Sequence, residues 1–233
     1  MSEHAAEHEV LAAVLAVRAG TLSTLLWQRA LPPDAGRWAV PGGRLGATED
    51  VEQSVVRQLA EKVDVREITH VEQIAVFSRP DRVPGPRRIA TAFLGLVPSD
   101  ADPAVPPDTA WHPLAELPPT AFDHAAIVDA ARERLRAKLS YTNLGFALAP
   151  REFTISALRD LYVAALGHPV SATNLQRVLT RRAVLEPTGA MAPPGPSGGR
   201  PAALFRFVER ALRVTDAFAV LRPPGDNPRA VIP

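Results

Sequence analysis

The chain has 233 residues, enough for two small domains, and 46% of them are apolar, so each half can bury a core of its own. It contains no cysteine, which excludes disulfides, thiolate metal sites and cysteine nucleophiles. The net charge is only +1, yet it is uneven: residues 1–140 carry 15 Lys and Arg against 19 Asp and Glu, and residues 141–233 carry 11 against 6, so a polyanion partner is expected of the second half alone.

In chain order, the apolar runs Leu11–Val17 and Leu22–Gln28 are joined by Arg18-Ala19-Gly20-Thr21 and predict a hairpin. Val10 to Val17, the longest apolar run, is far below the roughly 20 residues of a membrane span. The opening MSEHAAEHE is acidic where a signal peptide is basic, so neither membrane insertion nor export is expected, and the expected location is the cytoplasm. Trp38 to Gly43 is a short strand entering a Gly-Gly turn, and Thr48 to Val63 predicts a helix capped by Thr48. Val71–Phe77 and Ile89–Val97 predict strands around a basic loop, Ser78–Arg88. Pro98 to Pro119, rich in Pro and Asp, is expected to be mostly irregular. Phe122 to Leu139 is an amphipathic helix, and a domain boundary follows near Ser140 to Ala149, giving domains of residues 1–140 and 141–233.

Beyond the boundary, Thr154 caps a helix that Gly167 ends after Leu166, and Ser171 caps a second helix reaching about Arg182. Val184-Leu185 begins a strand, a Pro- and Gly-dense loop covers Glu186 to Pro201, and Ala202–Val208 is a further strand. Helix, turn, helix, strand, long loop, strand is the order of a winged helix.

The first half carries a degraded catalytic motif. Gly43, Glu49 and Arg57 have the spacing with which a Nudix box opens, and Trp38-Ala39-Val40-Pro41-Gly42-Gly43 resembles the strand that leads into one. The box asks for three glutamates on one helical face, where hard carboxylate oxygens hold magnesium. Here the three positions are Gln58, Glu61 and Lys62, and Asp64 stands where the box has glycine. An ammonium in place of a ligand repels a cation. The resemblance to the Nudix family, over about the first 140 residues, therefore implies a retained architecture, with Glu49 and Arg57 as its bracing pair. It implies no catalytic residues, no bound metal and no need for magnesium. A diphosphate can still be held by arginine forks. The candidates for ligand binding are Arg29, Arg44, Arg82, Arg87 and Arg88, together with Trp38 for ring stacking, although core packing is the favoured reading of Trp38.

In the second half, Leu175, Val178 and Leu179 share one face of the second helix and are expected to be buried. Thr173, Gln176, Arg177 and Thr180 lie opposite, flanked by Asn174 and Arg181, a face of donors and forks without an acid. The wing tip Gly198-Gly199-Arg200-Pro201 places the Arg200 cation for phosphate or minor-groove contact.

Four segments then make the resemblance specific: Phe153 to Tyr162, Asn174-Leu175-Gln176-Arg177, Thr188-Gly189, and Gly199 to Phe207. With the degraded box they make the chain similar to the Nudix-related transcriptional regulators of bacterial NAD metabolism, the NrtR-like family. The implied fold is α+β: an N-terminal Nudix-like α/β/α sandwich with a mixed sheet, followed by a C-terminal winged helix-turn-helix domain. The resemblance further implies a homodimeric repressor on a palindromic operator, controlling NAD synthesis or salvage genes and released by ADP-ribose or a related nucleotide. One departure is the loop Asp81-Arg82-Val83-Pro84-Gly85-Pro86-Arg87, where the family more often has D-R-D-P-R-G-R. Two other readings stand beside it: a Nudix hydrolase of ADP-ribose or a similar diphosphate, and an architectural DNA-binding protein with an inert first domain.

Overall fold

Alternation along the first strand builds the first domain. In β1 (Glu7–Arg18), Val10, Ala12, Val14 and Ala16 face one side and pack with Val55, Leu59 and Val63 of α1 (Val51–Val63). Leu11, Ala13, Leu15 and Val17 face the other and pack with Ile127, Val128, Ala131 and Leu135 of α2 (His124–Tyr141). A strand apolar on both faces needs cover on both, and each fully buried aliphatic side chain contributes about 1.5–3 kcal/mol. The result is the expected α/β/α sandwich. The computed structural model of the chain describes residues 6–63, 65–193 and 201–216.

The remaining strands of this sheet are β2 (Thr21–Gln28), β3 (Trp38–Ala39), β4 (Gly42–Arg44), β5 (His70–Phe77), β6 (Arg88–Leu96) and β7 (Thr109–Pro113). Their order is β3-β2-β1-β6-β5, with β4 added to β1 and β7 to β2. β1 and β6 run parallel, while β2 and β4 pair antiparallel with β1, so the sheet is mixed as expected. The tight junction is at Gly42, whose positive φ of 150° brings its backbone against Val10, where an added Cβ would strike the Val10 carbonyl oxygen.

Two expectations for this domain need correction. Thr48 does not cap α1. The helix starts at Val51, and Asp50 caps it reciprocally with Gln53: the Gln53 N–H donates to Asp50 Oδ1 (2.8 Å) and the Asp50 N–H to Gln53 Oε1 (3.0 Å). The stretch 98–119 also holds a strand, β7, which pairs with β2 from Ser23↔Pro113 to Trp27↔Thr109. Tertiary pairing overrides the weak local signal of Thr-Ala-Trp-His between prolines and aspartates.

The second domain contains β8 (Phe153–Thr154), α3 (Ile155–Leu166), α4 (Ala172–Arg181), β9 (Leu185–Met191) and β10 (Ala203–Phe207), the strands lying in the order β8-β10-β9. Thr154 caps α3 by accepting from the Ala157 N–H, Gly167 ends it at φ 75°, and Ser171 caps α4 by accepting from the Asn174 N–H. The winged-helix order is thus present. The expected long loop begins later, because Glu186–Met191 continues β9. The core is continuous from β1 through α2 into Leu158, Leu161, Leu175 and Leu179. Among the described residues no helix is long and apolar enough to cross a membrane.

Candidate functional site

The bracing pair of the box is assembled as its spacing implies. Arg57 at the second turn of α1 holds Glu49 with both forks, Nε to Oε2 at 2.9 Å and Nη2 to Oε1 at 2.5 Å. The Gly46 N–H adds a third bond to Oε1 at 2.6 Å. Arg57 and then Gly46 hold the Glu49 carboxyl down to about 2. The loop 44–50 is therefore fastened to the helix whether or not a metal is bound.

The three metal positions behave differently. Gln58 is buried, and its Nε2 donates to the Arg44 carbonyl at 3.3 Å. A carboxylate there would face a carbonyl oxygen, so the amide suits the present architecture. Gln58 Oε1 is buried without a partner, and it lies so close under Gly43 that an added Cβ would meet it at 2.7 Å. Glu61 is tied to Arg57 at 3.1 Å. Lys62 is exposed as a whole, but its Nζ reaches over Trp27, 5.3 Å from the ring centroid. Burial of the ammonium pulls its pKa down, helped by repulsion from Arg29 and Arg57 and opposed by Glu9 and Glu61. Among the described residues, no group of three or more His, Asp and Glu side chains could hold a metal.

Above this face lies a cavity of about 410 Å³ with Arg29, Arg44, Lys62 and Arg88 on its walls. Trp27, Leu31 and Phe122 supply its apolar surface, and Glu9 and His124 close it. The Arg29 guanidinium stacks 4.8 Å from the Phe122 ring centroid and donates through Nε to the Pro33 carbonyl. Arg44 and Arg88 share Glu7, at 2.7 and 2.9 Å. Phe122 takes a left-handed φ of 52°, and its N–H donates to Asp34 Oδ2 at 3.1 Å. Such backbone is rare in a bulky residue and is kept only where surroundings impose it. His124 is buried at the start of α2, and its Nδ1 accepts from the Val40 N–H at 3.1 Å. Burial pushes its pKa down to about 4, so near neutral pH it is uncharged, with its proton on Nε2.

Of the six expected ligand residues, Arg29, Arg44 and Arg88 thus come together and three do not. Arg82 is a correction: its side chain is 1% exposed, with Nε and Nη2 on Asp123 (2.9 and 2.8 Å) and Nη1 on Glu9. It ties the basic loop to β1 and to the start of α2, and its donors face those acids and not the cavity. Arg87 lies outside the cavity, donating to the Ser78 carbonyl at 3.2 Å. Trp38 stands edge-on to His112, ring centroids 4.3 Å apart, and packs on the core. Sequence reasoning missed Trp27, Phe122 and His124. Trp27 carries no motif signal, since its role depends on Lys62 folding back from another element.

On α4, Leu175 and Leu179 are buried, whereas Val178 is only partly so, a correction to the expected three-residue face. Thr173, Asn174, Arg177, Thr180 and Arg181 are exposed and Gln176 is half-buried. Arg177 Nη2 donates to Asn174 Oδ1 at 2.7 Å, which presents the two side chains as a unit. Arg200 and its flanking glycines lie outside the described residues. The base of α4 is fixed by Arg182, which reaches Asp216 (2.7 Å) and the Ser140 carbonyl (3.0 Å) at the far end of α2. The helix that starts at the cavity therefore ends against the second domain.

The comparisons with known proteins follow this division. The NUDIX domain model matches residues 8–131, and the model of the NrtR DNA-binding winged helix domain matches residues 145–207. A curated relative, the ADPR responsive transcriptional repressor NtrR of Acinetobacter baylyi, is 29% identical over 202 residues, covering 84% of this chain and 79% of that protein. The crystal structure of NrtR from Shewanella oneidensis is similar with a TM-score of 0.76 and 32% identity, covering 86% of this chain and 93% of that one. The same protein complexed with a 27mer DNA gives 0.73 and 30%, over 85% and 92%. Its NUDIX domain complexed with ADP ribose gives 0.51 and 32%, over 57% and 90%.

Proposed function

This chain belongs to the NrtR-type regulators of the Nudix family, and from that premise we propose that it is a DNA-binding transcriptional repressor released from its operator by ADP-ribose. The observation that carries the reading is the exchange at the box. The cavity and its Glu49–Arg57 brace are kept, while the metal face holds a neutral amide, a carboxylate engaged by arginine and a cation. A pocket with these walls binds a diphosphate without the ion that activates water for its hydrolysis. Arg29, Arg44 and Arg88 hold phosphate oxygens, and the Trp27 and Phe122 rings give a flat apolar surface for a base. The repressor needs no metal cofactor.

The exposed face of α4 is the reading surface. Thr173, Asn174, Gln176, Arg177, Thr180 and Arg181 offer donors and forks suited to base edges and phosphates. Arg200 is assigned to the wing on sequence grounds. One such helix makes few contacts, so the working unit is a homodimer on a palindromic site in the cytoplasm, controlling NAD synthesis or salvage genes. Effector binding changes DNA affinity only through different affinities in the DNA-bound and free arrangements.

The test is a gel-shift with the full chain on the DNA preceding its own gene, with and without ADP-ribose. Release by ligand supports the repressor; DNA binding unchanged at saturating ADP-ribose rejects the coupling and favours an architectural protein. Hydrolysis of ADP-ribose at an ordinary enzymatic rate with Mg²⁺ favours the hydrolase.

A further inference from the structure

The residues on the metal face of α1 do not fit a divalent cation. Gln58 Nε2 points its hydrogen at the Arg44 carbonyl, Glu61 is held by Arg57, and Lys62 brings a positive charge to the place of a ligand. An anionic ligand entering the cavity still needs charge neutralisation at that wall. We infer that the ammonium of Lys62 supplies it: Lys62 is the group that holds the ligand's diphosphate where the family's box holds a metal, which makes binding independent of divalent cations. The inference rests on the effector reading above and deepens it.

Three features of the structure support this assignment. Lys62 lies in the last turn of α1 and lines the same cavity as Arg29, Arg44 and Arg88. Its charge is not already committed. Glu9 and Glu61, the two acids it feels, are paired with Arg82 and Arg57, and among the described residues no acid forms an ion pair with Lys62. Arg44 and Arg88, by contrast, both share Glu7, and Arg29 donates to a backbone carbonyl. Finally, the ammonium has a seat. It lies over the Trp27 ring, and Trp27 is itself pinned by its Nε1–H to the Val40 carbonyl at 3.2 Å. A cation over an aromatic face is attracted to it while its N–H donors remain free to point outward.

The same geometry predicts the effect of metal. Magnesium has no ligand set here, and in solution it complexes the diphosphate itself, so it does not tighten binding. Removing the ammonium removes its charge-assisted hydrogen bonds to the ligand, which are stronger than neutral ones, so a loss of affinity of about tenfold or more is expected.

The experiment is isothermal titration calorimetry of the full chain with ADP-ribose and, separately, with inorganic pyrophosphate, each in EDTA and in millimolar Mg²⁺. The wild-type protein is expected to bind both ligands in EDTA and no more tightly in Mg²⁺. Lys62→Met, which keeps the length over Trp27 without the charge, is expected to weaken both by about tenfold or more. Lys62→Arg is expected to restore most of the affinity, and both variants to bind DNA normally in the absence of ligand, which separates a lost contact from a lost fold. Equal ADP-ribose affinity in wild type and Lys62→Met overturns the assignment of Lys62 and leaves the effector reading standing, as does binding that requires Mg²⁺. Pyrophosphate binding that depends on Lys62 without any ADP-ribose binding overturns the effector and leaves the diphosphate site standing. Failure of both ligands on the wild type overturns both.

Discussion

Replacing Arg82 tests whether this arginine, expected from the sequence to touch ligand, is instead a strut. Its guanidinium is 1% exposed and makes three charge-assisted bonds, two to Asp123 and one to Glu9, whose side chains are 23% and 14% exposed. In Arg82→Met, two carboxylates lose their common counter-ion in poorly hydrated surroundings. Breaking a buried ion pair by removing one partner costs about 3–5 kcal/mol. Both acids keep some contact with water, which places the loss near the lower end, about 3 kcal/mol. For a chain of this size each kcal/mol moves Tm by roughly 2–4 °C, so melting is expected to fall by roughly 6–12 °C. Urea denaturation and calorimetry measure the loss. The triple variant Arg82→Met, Glu9→Gln, Asp123→Asn removes the uncompensated charges and is expected to regain most of the stability. Below its melting range, Arg82→Met is expected to bind ADP-ribose within a few-fold of wild type, since its donors face the acids and not the cavity. An unchanged Tm together with lost ADP-ribose binding would refute the reasoning.

Arg177→Ala is expected to weaken operator binding by about 1–3 kcal/mol while leaving random duplex binding and circular dichroism nearly unchanged; equal operator affinity sinks the reading-face assignment. The wild-type chain is expected to hydrolyse ADP-ribose with Mg²⁺ far more slowly than about 1 s⁻¹, an ordinary enzymatic rate, and a coupled phosphate assay decides this. His124 is buried with its pKa lowered from 6.5 to about 4. The unfolded chain therefore binds the extra proton first, and stability is greatest above the unfolded value and declines as pH falls through the window between the two. The decline is roughly 2 kcal/mol between about pH 7 and pH 5. Urea midpoints for wild type and His124→Asn, whose Oδ1 can accept from Val40 in place of Nδ1, are expected to converge as pH falls.

The fold was legible where period and cap agreed. The two-faced apolar alternation of β1 and the caps Thr154, Ser171 and Gly167 are local signals, and each formed the element it implied. One failure was non-local and the other was a local signal passed over. β7 exists because β2 offers an edge, and its own five residues, set among prolines and aspartates, are too short a strand signal to stand alone. Thr48 and Asp50 are both good caps, and the choice between them is decided by Gln53 three residues after Asp50, a capping box that the sequence itself carries. The pocket was half legible for the first of these reasons. Arginines could be counted in the sequence, but their counter-ions could not. Arg82 and Arg88 look alike in a basic loop, yet Glu9 and Asp123 take the first and the second reaches the cavity wall.

The brace at Glu49 and Arg57 gives the box a structural role that needs no ion. A loop held by a metal alone would drift without it, and the cavity wall formed by Gly43 and Arg44 would drift with it. Here the loop is fastened three times, by Arg57 to Glu49, by the Gly46 N–H to Glu49 and by Gln58 to the Arg44 carbonyl. None of these bonds needs an ion. Gln58 fastens the wall, and on the assignment proposed for Lys62 the two residues act together: one keeps the cavity's shape and the other makes it welcome an anion. The end of that cavity is the start of α2, an 18-residue helix about 27 Å long, whose last carbonyls accept from Arg182, Thr215 and Asp216 at the root of α4. A helix of that length moves as a unit, so a ligand that displaced His124 at one end would bear on the seat of α4 at the other, and such a link is what a binding event in the first domain requires to be felt by the second.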